Sequence, residues 1–239
     1  MKRIARLTAA AAVFVVLAAG AVFAEPFAQN FSTSVVYVKD PSFVPPVDFS
    51  GLKRTNPDIY AWITIPGTNI NYPLLQSPTD DGYYLHHSRT GASSSNGELY
   101  TESTYNYADM LDPVTVVYGH NMRSGKMFGR LQTYYKGDIR RFRKIAVCTP
   151  ESEFDYTVFA AVPYDSVHLL ATYDFNSPTV FDRFFKKFMK TRVLGGTVDR
   201  SVTLTSQDKV LVLSTCLSGN HNDRFLVMAR LTAVRSKLP

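Results

Sequence analysis

The sequence predicts a mainly β fold with peripheral helices, and short apolar segments carry this prediction. Residues 114–118, 210–213 and 225–229 are runs built largely of Val, Leu, Phe and Met. Short apolar runs that are bounded by polar or turn-forming residues are typical of strands buried in a sheet. One longer segment, residues 179–192, places five apolar side chains on one helical face, which predicts an amphipathic helix.

Shorter elements fill the rest of the predicted domain. A helical turn is expected near Leu52, and residues 125–135 carry apolar side chains at near-helical spacing, which predicts a second amphipathic helix. Residues 66–69, with the sequence Pro-Gly-Thr-Asn, predict a turn. Further strands are predicted over residues 60–65, 70–75, 97–100, 144–148 and 155–162.

Chemically reactive residues lie at the ends of the three most apolar strands. The first strand leads to His120, the second leads to Cys216, and Arg224 immediately precedes the third. A thiolate that attacks, an imidazole that moves a proton and a cation that holds the oxyanion are the parts needed for acyl transfer through a thioester. A cysteine at a strand end is by itself usually a small buried hydrophobe. The combination of the three residues therefore predicts a catalytic site.

Together these motifs resemble the sortases, the cysteine transpeptidases of Gram-positive cell surfaces. The resemblance to the family rests on Tyr-Gly-His-Asn-Met at residues 118–122, on Thr-Cys at 215–216 and on Arg224. It extends from about Leu52 to Val234. The stretches that resemble class B sortases are residues 56–63 and 65–68 at the start of the barrel, 71–76 and 83–85 at the second strand and beyond it, and 126–128 after the histidine.

The resemblance implies a closed β-barrel with peripheral helices, formed by a catalytic domain over residues 52–239. The helix predicted over residues 179–192 resembles the extra helix that separates class B sortases from the simpler class A barrel. The resemblance also carries over four substrate contacts. From the residues alone, Leu75 equally fits a core position, and the two residues before Cys216 equally fit a role in satisfying backbone groups. The four contacts are Asn71, Leu75, Ser214 and Thr215.

The function that the resemblance implies is a cysteine transpeptidase that cleaves a C-terminal sorting motif of secreted proteins. It would form a thioester on Cys216 and transfer the acyl group to an amine of a peptidoglycan precursor. Class B sortases resemble each other in preferring Asn-Pro-type motifs. Some relatives polymerise pilins instead, and the sequence does not choose between these outcomes.

The N-terminal residues 1–24 predict a targeting segment, with a positive patch in the first six residues and an uncharged run over 7–24. Such a run is near the lower limit for crossing a bilayer with about 30 Å of hydrocarbon. Because the positive end stays in the cytoplasm, we expect a single-pass cell-membrane protein whose catalytic domain is extracytoplasmic. A cleaved signal peptide is the alternative, since Val-Phe-Ala at 22–24 fits a cleavage site. Residues 25–51, with four prolines, predict an extracytoplasmic linker.

The charge of the chain argues against a nucleic-acid partner. The formal net charge is +6, but three of the 26 basic residues lie in the first six positions. The remainder carries 23 basic and 20 acidic side chains, a net of +3. Because salt screens charges beyond about 8 Å, so small an excess steers no polyanion over a distance.

The two cysteines raise the question of a disulfide, since the chain is expected to be exported. A bond between Cys148 and Cys216 would disable the proposed nucleophile. Cys148 lies in a predicted strand, and we interpret it as a packed thiol. No Cys and His spacing resembles a zinc site, so neither a metal nor another cofactor is predicted.

Two other functions fit parts of the sequence. L,D-transpeptidases also use Cys, His and Arg, but their cysteine follows His-Gly, and their arginine follows it closely. Here Ser-Thr precedes Cys216, and Arg224 comes eight residues later. A non-catalytic surface-binding module, with an inert Cys216, is the third interpretation. His221, in the expected loop between Cys216 and Arg224, is the rival to His120. The remaining histidines are expected to have no partners; they are His86, His87 and His168.

Overall fold

The computed structural model describes residues 34–237, apart from the side chain of His221. The predicted targeting segment over 1–24 lies outside the described residues. The helices are α1 (Phe49–Thr55), α2 (Tyr83–His86), α3 (Leu131–Tyr135), α4 (Leu169–Thr172) and α5 (Pro178–Lys190). The strands are β1 (Val36–Lys39), β2 (Ile59–Thr64), β3 (Asn71–Leu75), β4 (Leu99–Tyr100), β5 (Val114–Tyr118), β6 (Lys144–Cys148), β7 (Ser152–Tyr164), β8 (Thr197–Val198), β9 (Val210–Leu217) and β10 (Asn220–Ser236).

Eight of these strands form a closed barrel, which confirms the predicted fold class. The neighbours around the ring are β10, β9, β5, β4, β3, β2, β6 and β7, and β7 pairs back onto β10. The closing pair is antiparallel and long, running over residues 224–236 of β10 and 152–164 of β7. Closure removes the exposed edges that an open sheet would present to solvent. β1 and β8 lie outside the ring, on β10 and β7 respectively.

Apolar side chains alternate between the barrel interior and an outer layer. On β9, Leu211 and Leu213 belong to the interior cluster, whereas Val210 and Val212 belong to a second cluster that includes the aromatic face of α5. This alternation follows from the pleat of a strand, whose successive side chains point to opposite faces. The continuous apolar sequence of β9 therefore reflects burial on both faces of the sheet.

The helix predicted over residues 179–192 is present as α5, Pro178–Lys190. Proline occupies its first turn, where the missing N–H costs no hydrogen bond. Phe181, Phe185 and Phe188 are buried against the barrel, and lysines lie on the exposed side. The aromatic stripe is therefore a packing surface, and it covers the outer face of the sheet, including the first part of β9.

The shorter predicted helix over 125–135 is confirmed only in its second half. α3 begins at Leu131, because Gly125 and Met127 have φ values of 81° and 52°, which no right-handed helix accepts. The chain instead turns here and forms an isolated bridge between Asn121 and Met127. Apolar spacing alone could not reveal these two left-handed residues.

The expected loop between Cys216 and Arg224 is a β-hairpin. β9 runs on to Leu217 and β10 begins at Asn220, so Cys216 and Arg224 both lie inside strands. Gly219 has a φ of 83°, which permits the tight turn. The register shifts between Asn220 and Arg224, which marks a bulge on that strand.

The C-terminal part of the predicted linker over 25–51 pairs and packs with the domain. β1 runs parallel to the last part of β10, and α1 begins at Phe49. Phe43 and Phe49 are buried. Within residues 34–237, no helix has both the length and the apolar character needed to cross a bilayer.

We predict that Phe185→Ala destabilises the domain strongly through the outer layer. Phe185 is 1% exposed and contacts the rings of Phe159, Phe175 and Phe181. Removing a buried phenylalanine ring costs about 3–5 kcal/mol of unfolding free energy. Chemical denaturation should show this loss, whereas Lys187→Ala on the exposed side of α5 should leave the free energy nearly unchanged. Equal effects of the two substitutions would contradict the assigned packing.

Candidate active site

The registers of β5, β9 and β10 bring the three predicted catalytic residues together. Cys216 lies directly opposite Arg224 across the antiparallel pair of β9 and β10. Tyr118 lies opposite Ser214 across the parallel pair of β5 and β9. His120 follows Tyr118 by two residues, as Cys216 follows Ser214, so both reach the same end of the sheet. His120, Cys216 and Arg224 all line one cavity of about 340 Å³.

The residue before His120 must be glycine because the chain passes very close to its neighbours. A Cβ atom at Gly119 would lie 2.3 Å from Leu99 Cδ2 and 2.7 Å from Phe128 Cδ2, well inside contact distance. Two hydrogen bonds join this segment to β9: the Gly119 N–H donates to the Ser214 carbonyl at 3.1 Å, and Thr215 Oγ1 donates to the Gly119 carbonyl at 2.7 Å. The histidine segment is thus tied to the strand that carries the thiol.

A backbone carbonyl orients the ring of His120. Nε2 lies 2.8 Å from the Leu85 carbonyl oxygen. Because a carbonyl oxygen only accepts, Nε2 carries the proton and Nδ1 is the nitrogen that can take up another. The ring of His86 is a neighbour, with its centroid 6.1 Å away.

Two amide side chains hold the backbone at the thiol, a role that no sequence pattern predicts for them. Asn121 Nδ2 donates to the Cys216 carbonyl at 2.8 Å and to Ser218 Oγ at 2.9 Å. Gln132 Nε2 also donates to Ser218 Oγ at 2.9 Å. These contacts connect the histidine segment and α3 to the turn after Cys216. Asn121 belongs to the motif around His120 and could be recognised from the sequence, whereas Gln132 belongs to no motif.

Arg224 is flanked by strands on both sides. It faces Cys216 on β9 and Tyr164 on β7, and Tyr164 also lines the cavity. Its Nη1 donates to the carbonyl of Asp223 at 3.3 Å. The carboxylate of Asp223 accepts a hydrogen bond from Asn220 Nδ2 at 2.7 Å. The strand register thus places Arg224 in the row of residues that contains Cys216.

The opposite wall of the cavity carries a polar cluster that sequence reasoning missed. His168 was expected to have no partner, but that was wrong, because Nε2 lies within 3.1 Å of both carboxylate oxygens of Glu102. The Tyr118 hydroxyl lies 3.4 Å from the same nitrogen. Burial, followed by the nearby Glu102 carboxylate, raises the pKa of Tyr118 well above its ordinary value, so the phenol stays protonated.

Only half of the predicted substrate contacts reach the cavity. Ser214 and Thr215 line it, although the hydroxyl of Thr215 is already bonded to Gly119. Leu75 is fully buried in a core cluster with Ile59 and Tyr100. Asn71 is exposed at the start of β3, where it accepts hydrogen bonds from the side chains of β2. The structure therefore gives no support for Asn71 or Leu75 as contacts within this cavity. The hydrogen-bonding partners of Asn71 on β2 are Trp62 and Thr64.

Comparison with known proteins identifies the family. The profile of the sortase domain matches residues 63–232. The chain belongs to the sortase family. It is 29% identical to sortase B of Listeria monocytogenes over 69% of this chain and 65% of that protein's length. It is 26% identical to sortase B of Staphylococcus aureus over 78% of this chain and 75% of that protein.

Solved structures of class B sortases share the fold. The crystal structure of sortase B from Bacillus anthracis has a TM-score of 0.66 and 29% identity, covering 77% of this chain and 83% of that one. The structure of Clostridium perfringens sortase B has a TM-score of 0.66 and 26% identity, covering 77% and 99%. The sortase described here is a class B member of the family.

The second cysteine lies away from the cavity. Cys148 is 4% exposed, on β6, opposite Trp62. Burial, followed by the charge of Glu153, raises the pKa of the Cys148 thiol to about 11. Both cysteines are free thiols. This agrees with the interpretation of Cys148 as a packed thiol. Among the described residues, no group of three or more His, Cys, Asp or Glu side chains is placed to hold a metal.

We predict that iodoacetamide at neutral pH labels Cys216 and leaves Cys148 unmodified. Only the thiolate reacts, and a pKa of about 11 keeps Cys148 protonated at neutral pH. In a Cys216→Ala variant, the residual labelling of Cys148 should therefore increase as the pH rises toward 11. Peptide mapping by mass spectrometry identifies the modified cysteine. Labelling of Cys148 first, or of neither cysteine, would favour a non-catalytic module.

Proposed function

We propose that this sortase is a cysteine transpeptidase that cleaves a C-terminal sorting motif of secreted proteins and transfers the acyl group to a peptidoglycan-precursor amine. The observation that supports this most is the meeting of three side chains, one each from β9, β10 and the segment after β5. His120, Cys216 and Arg224 line one cavity, and each supplies a part that acyl transfer needs. The sortase B proteins to which the chain is similar support the same assignment.

The first half-reaction forms the thioester. The Cys216 thiolate attacks the carbonyl carbon of the scissile peptide bond, and Arg224 stabilises the oxyanion that develops. His120 donates its proton to the departing amine as the C–N bond breaks. The hydrogen bond from Nε2 to the Leu85 carbonyl leaves Nδ1 as the atom that handles this proton.

The second half-reaction releases the acyl group. An acceptor amine gives up its proton to the neutral His120 and attacks the thioester carbon. A C–N bond forms, the C–S bond breaks, and the thiolate of Cys216 is regenerated. Water as the attacking group would give hydrolysis, so the identity of the acceptor decides between ligation and simple cleavage.

The cellular setting of this reaction extends the proposal. An uncleaved N-terminal segment over residues 1–24 would tether the enzyme to the cell membrane, with the catalytic domain outside. Secreted proteins with a sorting motif and the peptidoglycan precursor would then meet it at the cell surface. No nucleic acid takes part, and no cofactor is required by the steps above.

A panel of sorting peptides tests the proposed reaction directly. We expect intact-protein mass spectrometry to detect a covalent acyl adduct with at least one Asn-Pro-containing peptide. The Cys216→Ala variant should form no adduct, because it lacks the nucleophile. An adduct that persists in that variant would mean that the nucleophile is misassigned. A product made of repeating protein units would instead indicate a pilin-polymerising sortase.

Arg224→Lys tests the role of the guanidinium. We expect this variant to lose most of its acylation activity although the charge is kept, because the planar fork of donors is lost. Loss of one oxyanion donor typically costs about 3–4 kcal/mol in the transition state. The acylation rate of a sorting peptide measures the effect, and Arg235→Lys, on the far part of β10, serves as the control. Near-normal turnover of Arg224→Lys would rule out the oxyanion role.

A further inference from the structure

The cavity contains a carboxylate that the proposed steps do not use. Glu102 is the single acidic residue among the described residues that line it, and it lies two positions after β4. Its side chain is only 14% exposed. An ionised carboxylate in so enclosed a place needs donors or a counter-charge, since burying an uncompensated charge is costly.

His168 holds this carboxylate but does not neutralise it. Nδ1 of His168 accepts the backbone N–H of Ala171 at 3.1 Å, so Nδ1 carries a lone pair and no proton. Nε2 therefore carries the proton and donates it to Glu102 Oε1 at 3.1 Å. In this arrangement the imidazole is uncharged, and the negative charge stays on Glu102.

Neutral groups surround the carboxylate. Oε2 of Glu102 is buried and lies 2.9 Å from His168 Nε2, and the Tyr118 hydroxyl is a further hydrogen-bond partner of Glu102. Neither the imidazole nor the phenol carries a positive charge. Buried charges in native proteins are usually paired with an opposite charge. A carboxylate held only by neutral donors in a cavity beside a nucleophile indicates that the counter-charge arrives with a substrate.

The position of Glu102 relates it to the thiol. The Tyr118 hydroxyl is 3.4 Å from His168 Nε2, and Tyr118 lies beside Ser214, two residues before Cys216 on β9. The cluster thus shares the outer face of the sheet with Cys216 and Arg224. The guanidinium of Arg224 lies at the end of the cavity that holds the thiol. The carboxylate of Glu102 lies on the wall formed by the residues after β4 and before α4.

These opposite charges match the two reactants. The acyl donor develops negative charge on its carbonyl oxygen, which suits Arg224. The acceptor arrives as an ammonium ion, since an aliphatic amine is largely protonated at neutral pH. We propose that Glu102, held by His168, binds the ammonium group of the acceptor amine in the cavity before it attacks the thioester. This inference rests on the proposed transpeptidase function.

The role of Glu102 ends before bond formation. The bound ammonium first loses one proton to solvent, which leaves the free amine. The amine attacks the thioester carbon, and His120, which is neutral after giving its proton to the leaving amine, takes the second proton from the nitrogen. The C–S bond breaks and the thiolate returns. Glu102 binds the acceptor and exchanges no proton, so its loss should affect amine transfer and not hydrolysis.

Glu102→Gln keeps the size of the side chain and removes its charge. With an Asn-Pro sorting peptide as donor and the full-length protein, we expect the concentration of triglycine that gives half-maximal transfer to rise about tenfold, the value of one hydrogen bond to a charged group. Hydrolysis without amine, and transfer to hydroxylamine, should be unchanged because hydroxylamine is mostly uncharged at neutral pH. Liquid chromatography of the products measures all three quantities: the half-maximal triglycine concentration, the hydrolysis without amine and the transfer to hydroxylamine.

Glu151→Gln provides the matched control, because Glu151 is an exposed carboxylate in the turn before β7. It should change none of the three values. An unchanged triglycine dependence in Glu102→Gln would overturn the proposal. Equal losses of hydrolysis and transfer would overturn it as well, because they would place Glu102 in donor binding or in the fold.

A binding measurement separates this inference from the proposed function. The Cys216→Ala protein, which cannot turn over, is titrated with triglycine and followed by NMR. We expect saturable binding that weakens about tenfold when Glu102→Gln is added. Such binding supports the ammonium site even if the wild-type protein forms no acyl adduct with any peptide. Triglycine binding that does not depend on Glu102 would refute the site even if the adduct forms.

Discussion

The candidate active site depends on the hydrogen-bonded register of β5, β9 and β10. Cys216 faces Arg224 because β9 and β10 pair in one antiparallel alignment, and His120 arrives beside them because β5 pairs in parallel with β9. A slip of one residue would turn every side chain of a strand to the other face. The thiol would then point into the apolar interior. Closure of the ring through β7 and β10 prevents that slip.

The outer layer of the fold serves both packing and the site. α5 covers the apolar outer face of the sheet, and the segment that leads to it from β7 forms one wall of the cavity. His168 lies in this segment as the N-terminal cap of α4. The same insertion therefore buries the aromatic stripe and carries the partner of Glu102. A change in the packing of α5 would therefore shift the segment that forms this wall of the cavity.

The sequence predicted those features that depend on local patterns. The strand ends at His120 and Cys216, the position of Arg224 and the aromatic face of α5 were all visible as short motifs. The pairing of Glu102 with His168 was not, because 66 positions separate the two residues and neither lies in a recognisable motif. The left-handed backbone at Met127 was equally hidden, since methionine rarely adopts it. Leu75 had suited a core position as well as a substrate contact, and the structure places it in the core.

The last strand of the chain has a further consequence for how the protein matures. β10 closes the ring by pairing with β7, and the paired residues of β7 lie some 70 positions earlier in the chain. β10 also carries Arg224. Contacts between residues so far apart in sequence form slowly, because the entropy cost of closing a long loop comes before the contacts can stabilise the fold. The hairpin of β9 and β10 can pair Cys216 with Arg224 locally, but the cavity wall that Tyr164 of β7 provides joins them only when the ring closes. A chain that ends before Arg224 carries the thiol but lacks the guanidinium that lies opposite it.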